Sequence, residues 1–132
     1  MNRVLLVEDE TSFREALSLL LATEGFEVTT ASHGVEGLKE LEAALPDLIV
    51  TDYMMPFMNG LEMAKRVRAT PRLAGVPILL LSAIDVPARR VDASLYDAFF
   101  PKPFEIDALL EAIRQLLPPR AEGTPETKPR QG

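Results

Sequence analysis

Val4-Leu5-Leu6-Val7-Glu8-Asp9 is four unbroken apolar residues that run straight into two carboxylates. A strand covered on both faces reads as such a continuous run, whereas a half-exposed strand alternates. The residues that follow change period. Phe13, Ala16, Leu17, Leu20 and Leu21 recur at helical spacing, and Gly25 stands where it can end that helix. The same exchange repeats along the chain. Residues 26–30 alternate and are β-branched, as in a more polar edge strand. Val35, Leu38, Leu41 and Leu45 mark a second helix stopped by Pro46, and Leu48-Ile49-Val50-Thr51 is again a continuous strand. Leu61, Ala64 and Val67 place a third helix over 60–68. Residues 76–81 form a fourth strand, with Pro77 near its start, and Ala98-Phe99-Phe100 a short fifth. Ile106, Leu109, Leu110, Ile113, Leu116 and Leu117 form a last amphipathic helix. Between the last two strands, residues 84–95 contain Pro87 and show loose helical spacing in Val86, Val91 and Leu95. Strands alternating with helices at this spacing predict an α/β fold, a parallel sheet with helices on both faces.

Composition sets the frame. A chain of 132 residues is one domain's worth and long enough to bury a core without staples. Residues 1–117 carry all the periodic segments. Residues 118–132 hold four prolines, two glycines and no large apolar residue, so a disordered tail or linker stub is expected there. The absence of Cys excludes disulfide scaffolds, thiolate metal sites and Cys nucleophiles, and a single His excludes His-rich zinc sites. A net charge of −6 disfavours nucleic acid as a direct partner. The apolar runs are too short for a bilayer span or a signal-peptide core, so a cytoplasmic protein without a membrane partner is expected.

In an open parallel sheet, ligands bind outside the carboxyl ends of the strands. There the first strand ends in Glu8-Asp9, the third in Asp52 and the fourth in Ser82, and the fifth runs into Lys102. Three carboxylates in one crevice repel unless a cation offsets them. A hard divalent ion with oxygen ligands, Mg²⁺ above all, suits such a set. With Lys102 it brings the rim to neutrality. A carboxylate beside Mg²⁺ and an ammonium is equipped to receive a phosphoryl group. Taken singly, each residue has a plainer reading. The acids of 8–10 can cap a helix, Asp52 can serve a turn before Pro56 and Gly60, Ser82 can be a loop hydroxyl, and Lys102 can be solvated. His33, in a polar loop, has no special role on this reading. Four strand ends carrying complementary groups at once favour the joint reading.

Val4-Leu-Leu-Val-Glu-Asp-Glu10, Asp52-Tyr-Met-Met-Pro-Phe-Met-Asn-Gly60, Leu81-Ser82-Ala83 and Lys102-Pro103-Phe104 are collinear over about residues 2–117, and together they resemble the receiver domains of response regulators. The resemblance implies a doubly wound five-stranded parallel sheet of flavodoxin-like order 2-1-3-4-5. It implies Asp52 as phosphoacceptor and Asp9 as a direct Mg²⁺ ligand, with Glu8 acting through water or hydrogen bonds. The Met54 main-chain carbonyl would complete the protein's ligands. Ser82 resembles the hydroxyl that moves to the phosphoryl group, Lys102 the lysine that contacts it, and Phe99 the switch aromatic. A cis Lys102-Pro103 bond is part of the same expectation. Met54 and Ile84 flank the path of a hydrolytic water in such domains. Both are apolar, which implies a long-lived phosphoryl group.

Three departures fall near the fifth strand. Leu95 and Tyr96 replace small residues, Pro101 stands where a β-branched residue is common, and the spacing from Ser82 to Lys102 is short. They touch the output face, residues 84–117, and leave the chemistry alone. The expected partners are a sensor histidine kinase or histidine phosphotransfer protein upstream, and a downstream protein or output domain. No output domain follows residue 117, so a stand-alone receiver or one separated from a longer protein at its linker is expected. A receiver fold working as a phosphorylation-independent interaction module is the alternative; the intact set Glu8, Asp9, Asp52, Ser82 and Lys102 argues against it. A haloacid-dehalogenase-like phosphatase needs a second carboxylate two residues after the nucleophile, and that position is Met54. No turnover enzyme is therefore expected, only self-catalysed phosphoryl transfer onto Asp52.

Overall fold

The computed structural model describes residues 2–83 and 93–117. Five strands, β1 (Arg3–Val7), β2 (Glu27–Ala31), β3 (Leu48–Asp52), β4 (Ile78–Ser82) and β5 (Ala98–Pro101), pair in parallel in the order β2-β1-β3-β4-β5. Four helices alternate with them: α1 (Thr11–Thr23), α2 (Gly34–Ala43), α3 (Gly60–Ala69) and α4 (Ile106–Leu116). The fold class and strand order are those expected. Of the weakly helical segment over 84–95, a single 3-10 turn at Ala93–Leu95 is described; the rest, with Ile84, Val86, Pro87 and Val91, lies outside the described residues. So does the segment 118–132.

Successive strand residues point to opposite faces, and this divides the core in two. Leu5, Val7, Ile49 and Ile78 face α2 and α3, where they meet Leu41, Met63 and Val67. Val4, Leu6, Val50, Leu79 and Leu81 face α1 and α4, where they meet Leu17, Leu21, Leu109 and Ile113. The central strands β3 and β4 are buried at every residue, which is why they read as unbroken apolar runs. β2 is largely exposed and lies at the sheet edge.

Two boundaries differ from the periodicity. Leu45 was expected on α2, yet the helix ends at Ala43, Ala44 is extended, and Leu45 is 50% exposed. Pro46 has no N–H to continue the ladder and forces the residue before it out of helical geometry. β4 begins at Ile78 rather than Val76, because Val76 N–H closes a turn onto the Leu73 carbonyl. Gly25 ends α1 at φ +98°, a conformation few other residues accept.

Near β5, Arg68 binds together segments distant in sequence. Its guanidinium donates to the carbonyls of Ala74 and Val76 at 3.0 and 2.7 Å, and lies 2.9 Å from Asp97 Oδ2. The same oxygen accepts from Ile78 N–H at 2.8 Å. Leu95, one of the departures noted above, is buried in the core beneath α3, and Pro101 pairs with Ser82 as the last rung of β4–β5.

Candidate functional site

The carboxyl ends of β1, β3, β4 and β5 lie side by side, because parallel pairing in register brings them to one rim. Val7 is paired with Thr51, Asp52 with Leu81, and Ser82 with Pro101. Just past β1, Glu8 N–H extends the ladder by donating to the Ala31 carbonyl at 3.0 Å.

Asp52 is 4% exposed. Its Oδ2 accepts from Met54 N–H at 3.1 Å. Its Oδ1 lies 2.8 Å from the Lys102 ammonium, but at an angle that makes no directed hydrogen bond. A buried carboxylate oxygen is therefore left with acceptor capacity unused, and such atoms are rare without a ligand or a chemical role. Gly60 sets how closely α3 approaches: a Cβ there would stand 2.5 Å from the Asp52 carbonyl and 2.9 Å from Leu80. Gly60 N–H in turn donates to the Tyr53 carbonyl at 2.9 Å, closing the loop that follows Asp52. Asn59 and Glu62 cap α3 reciprocally, which fixes where that loop ends.

The three acids after β1 divide their work. Glu10 is the helix cap, accepting from Phe13 N–H at 2.6 Å. Glu8 is buried, with Oε2 accepting from Glu10 N–H and Oε1 from Lys102 Nζ, both at 3.0 Å. Asp9 is exposed at the mouth. The capping reading thus holds for Glu10, while Glu8 and Asp9 turn to the rim. One oxygen each from Glu8, Asp9 and Asp52 lies within 4.8 Å of the others.

Lys102 is held from several sides. Its N–H donates to the Ser82 carbonyl at 2.8 Å, and the Lys102-Pro103 bond is cis, as expected. Its ammonium lies 4.3 Å from the centroid of the Phe13 ring. Phe13 meets Phe104 edge-on, and Phe104 meets Phe100 in the same way. Phe13 reads in sequence as one more apolar position of α1; only its place in the first turn after the acids hinted at more. Ser82 is buried at the end of β4. Phe99 is half-buried, packed against Leu80 as Tyr53 and Leu61 are, and tilted against Tyr96. The Met54 side chain is exposed. His33 departs from its expected lack of role: Nδ1 accepts from Glu36 N–H at 3.2 Å to cap α2, and the ring meets Phe57 edge-on.

Burial pushes the carboxyls of Asp52 and Glu8 above their ordinary values. Hydrogen bonds and the Lys102 charge oppose that rise and do not cancel it. Burial alone would depress the Lys102 ammonium, but its pairing with the carboxylates of Asp52 and Glu8 outweighs that and holds it above the usual lysine value. Three carboxylates against one ammonium leave a deficit of positive charge. The donor set fits a hard divalent cation: carboxylate oxygens, a buried acceptor with capacity to spare, and an exposed acid at the mouth.

The sequence profile of the response regulator receiver domain matches residues 4–114. The response regulator MprA of Mycobacterium leprae is 41% identical over 118 residues, which make up 87% of this chain and 50% of that protein. The chain thus spans about half the length of the curated relatives it matches. Among solved structures, the response regulator TrrA of Thermotoga maritima, in complex with Mg²⁺-BeF, superimposes with a TM-score of 0.77 at 37% identity, covering 89% of this chain and all of that one. The chemotaxis response regulator CheY4 of Vibrio cholerae gives 0.81 at 34% identity, over 89% of this chain and 99% of that one. The chain belongs to the response regulator receiver domains of two-component systems. No helix among the described residues is long and apolar enough to cross a membrane.

Proposed function

We propose that this domain takes a phosphoryl group onto Asp52 from the phosphohistidine of a sensor kinase or histidine phosphotransfer protein. The observation that carries the reading is the buried Oδ1 of Asp52, 2.8 Å from an ammonium and with acceptor capacity to spare. In the reaction an Asp52 oxygen forms a bond to phosphorus, the phosphorus–nitrogen bond breaks, and its electron pair leaves with the imidazole. Lys102, steered by Glu8, Phe13 and the Ser82 carbonyl, meets charge developing on the transferring oxygens. Ser82, at the end of β4, is the hydroxyl that turns to the new phosphoryl group. Phe99, two residue pairs earlier in the β4–β5 ladder, senses that turn. The face formed by residues 84–117 carries the signal to a downstream protein or output domain.

Asp9 and Asp52, with the Met54 carbonyl and with Glu8 in an outer position, are the residues that would hold Mg²⁺, which offsets charge on the phosphoryl oxygens when bound. Both Glu8 oxygens already accept hydrogen bonds, which supports its outer place. The domain consumes its own side chain and so is a substrate of the transfer, not a turnover enzyme.

The test is intact-mass spectrometry after incubation with Mg²⁺ and acetyl phosphate. One added phosphoryl group, absent in Asp52→Asn, is expected. Undiminished labelling of that variant would refute the assignment, and no labelling of either protein would favour a phosphorylation-independent module.

A further inference from the structure

Phe57 is the most exposed large apolar side chain among the described residues, at 85%, and their sole non-glycine at positive φ, +70°. Met58 N–H donates to the Pro56 carbonyl at 2.7 Å, closing a three-residue turn around Phe57. Such a turn with positive central φ is rare and strained, and a bulky aromatic is a poor occupant of it. The flanking structure imposes the geometry through the Gly60–Tyr53 bond and the Asn59–Glu62 cap. What the ring gains inside the domain is an edge contact with His33, centroids 5.3 Å apart. The fold therefore displays an aromatic ring at the cost of backbone strain.

Beside the ring runs a shallow groove of about 320 Å³ along α3, lined by Phe57, Met58, Glu62, Lys65, Arg66 and Ala69. Glu62 has a carboxylate oxygen committed to the helix cap. Lys65 and Arg66 are exposed, and neither has an ion-pair partner among the described residues, in a chain of net charge −6. Phe57 lies five residues after Asp52, in the loop bordering the rim that a phosphodonor must reach. We infer that Phe57 anchors the phosphodonor protein: its ring enters an apolar pocket of that partner while Lys65 and Arg66 meet carboxylates around it. An aromatic anchor ringed by complementary charge is the usual composition of a binding hot spot. The inference rests on Asp52 being the phosphoacceptor.

The experiment compares two donors, acetyl phosphate and the autophosphorylated histidine kinases of the genome that encodes this chain, using the kinase fastest toward wild type. Phe57→Gly suits the positive φ and removes the ring. Its labelling by acetyl phosphate should equal wild type, while kcat/KM for transfer from the kinase falls about tenfold, chiefly through KM. Lys65→Glu with Arg66→Glu should lower the same ratio, and more at low salt than at high. Undiminished transfer to Phe57→Gly overturns the inference alone. So does a wild type labelled by acetyl phosphate but by no kinase, or a wild-type dimer in sedimentation that Phe57→Gly dissociates without slowing transfer, which assigns the patch to a second copy. A wild type labelled by neither donor overturns the Asp52 reading, and this inference with it.

Discussion

The ammonium of Lys102 is shared between two buried carboxylates, 2.8 Å from Asp52 Oδ1 and 3.0 Å from Glu8 Oε1, although Glu8 lies 94 residues away in sequence. One cation thus serves two anions, and Asp9 adds a third nearby. The rim without metal is consequently a place of stored electrostatic stress, and its stability should respond to anything that removes a negative charge.

Asp52→Asn keeps the shape of the side chain and removes one buried charge, while Glu8 still pairs with Lys102. The variant should be more stable than wild type in the presence of a chelator, by about 1 kcal/mol, or roughly 4 °C in melting temperature for a domain of this size. Thermal melts in EDTA check this. A lower melting temperature for the Asn variant would mean that the Lys102 pairing outweighs the burial of Asp52.

The pH profile follows from the same groups. Asp52 and Glu8 hold their protons more tightly folded than unfolded, so the unfolded chain binds fewer protons just above pH 4. Stability from these two is therefore full below their unfolded pKa values and is lost as pH rises through their folded ones. Glu36 runs the other way. Bonds from the Ser32 N–H and hydroxyl lower its carboxyl, so its contribution is present above its unfolded value and lost on acidification. Lys102, raised, keeps its contribution until pH climbs through its folded value. Urea unfolding in EDTA should show stability falling as pH rises above about 4, with a flatter profile in Asp52→Asn. Excess Mg²⁺ should reverse the fall, since a ligand of the folded state adds stability.

Gly60→Ala puts a methyl group 2.5 Å from the Asp52 carbonyl, where rigid backbone cannot yield as a side-chain end could. The expected loss is about 1–3 kcal/mol in urea unfolding, as for other overpacked sites. Labelling by acetyl phosphate should slow as well, because α3 and the loop after Asp52 must shift together. A variant matching wild type in both measurements would show that α3 is not seated by this contact.

Met54 presents an exposed apolar side chain at the mouth of the site. It can obstruct a water approaching phosphorylated Asp52 and cannot orient one. Met54→Asn should shorten the lifetime of the aspartyl phosphate about tenfold, corresponding to ~1.4 kcal/mol of activation free energy. Decay after donor removal, in excess Mg²⁺, is the measurement. A wild-type lifetime of seconds, or no change in the variant, would contradict it.

Much of this molecule was readable before its structure. The continuous runs at 4–7 and 48–51 and the helical spacing of Phe13 to Leu21 predict β1, β3 and α1, because covered strands and one-sided helices must carry those periods. The polar residues ending the strands predict the rim, because parallel strands in register deliver their ends to one place. Glu8 and Asp9 were assigned to the rim from the end of the first strand, but which of the acids 8–10 caps α1 was not separable. All three are acids in succession, and only the direction in which α1 leaves the strand tells them apart. His33 as a cap escaped for a similar reason: its ring nitrogen had to meet Glu36 N–H in a helix whose start was not yet placed.

The local pattern of the chain, on its own, determined the elements, their order and the kinds of group that would meet, since propensity and burial act over a few neighbouring residues. Tertiary structure alone decided that Lys102 would rest over Phe13 while bridging Glu8 and Asp52, that Arg68 would clasp Asp97 just before β5, and that Phe57 would stand outward at positive φ. Each of these depends on where segments tens of residues apart finally cross, or on a backbone angle imposed by hydrogen bonds from both sides. Such positions are set by the whole packed core and belong to no single stretch of residues.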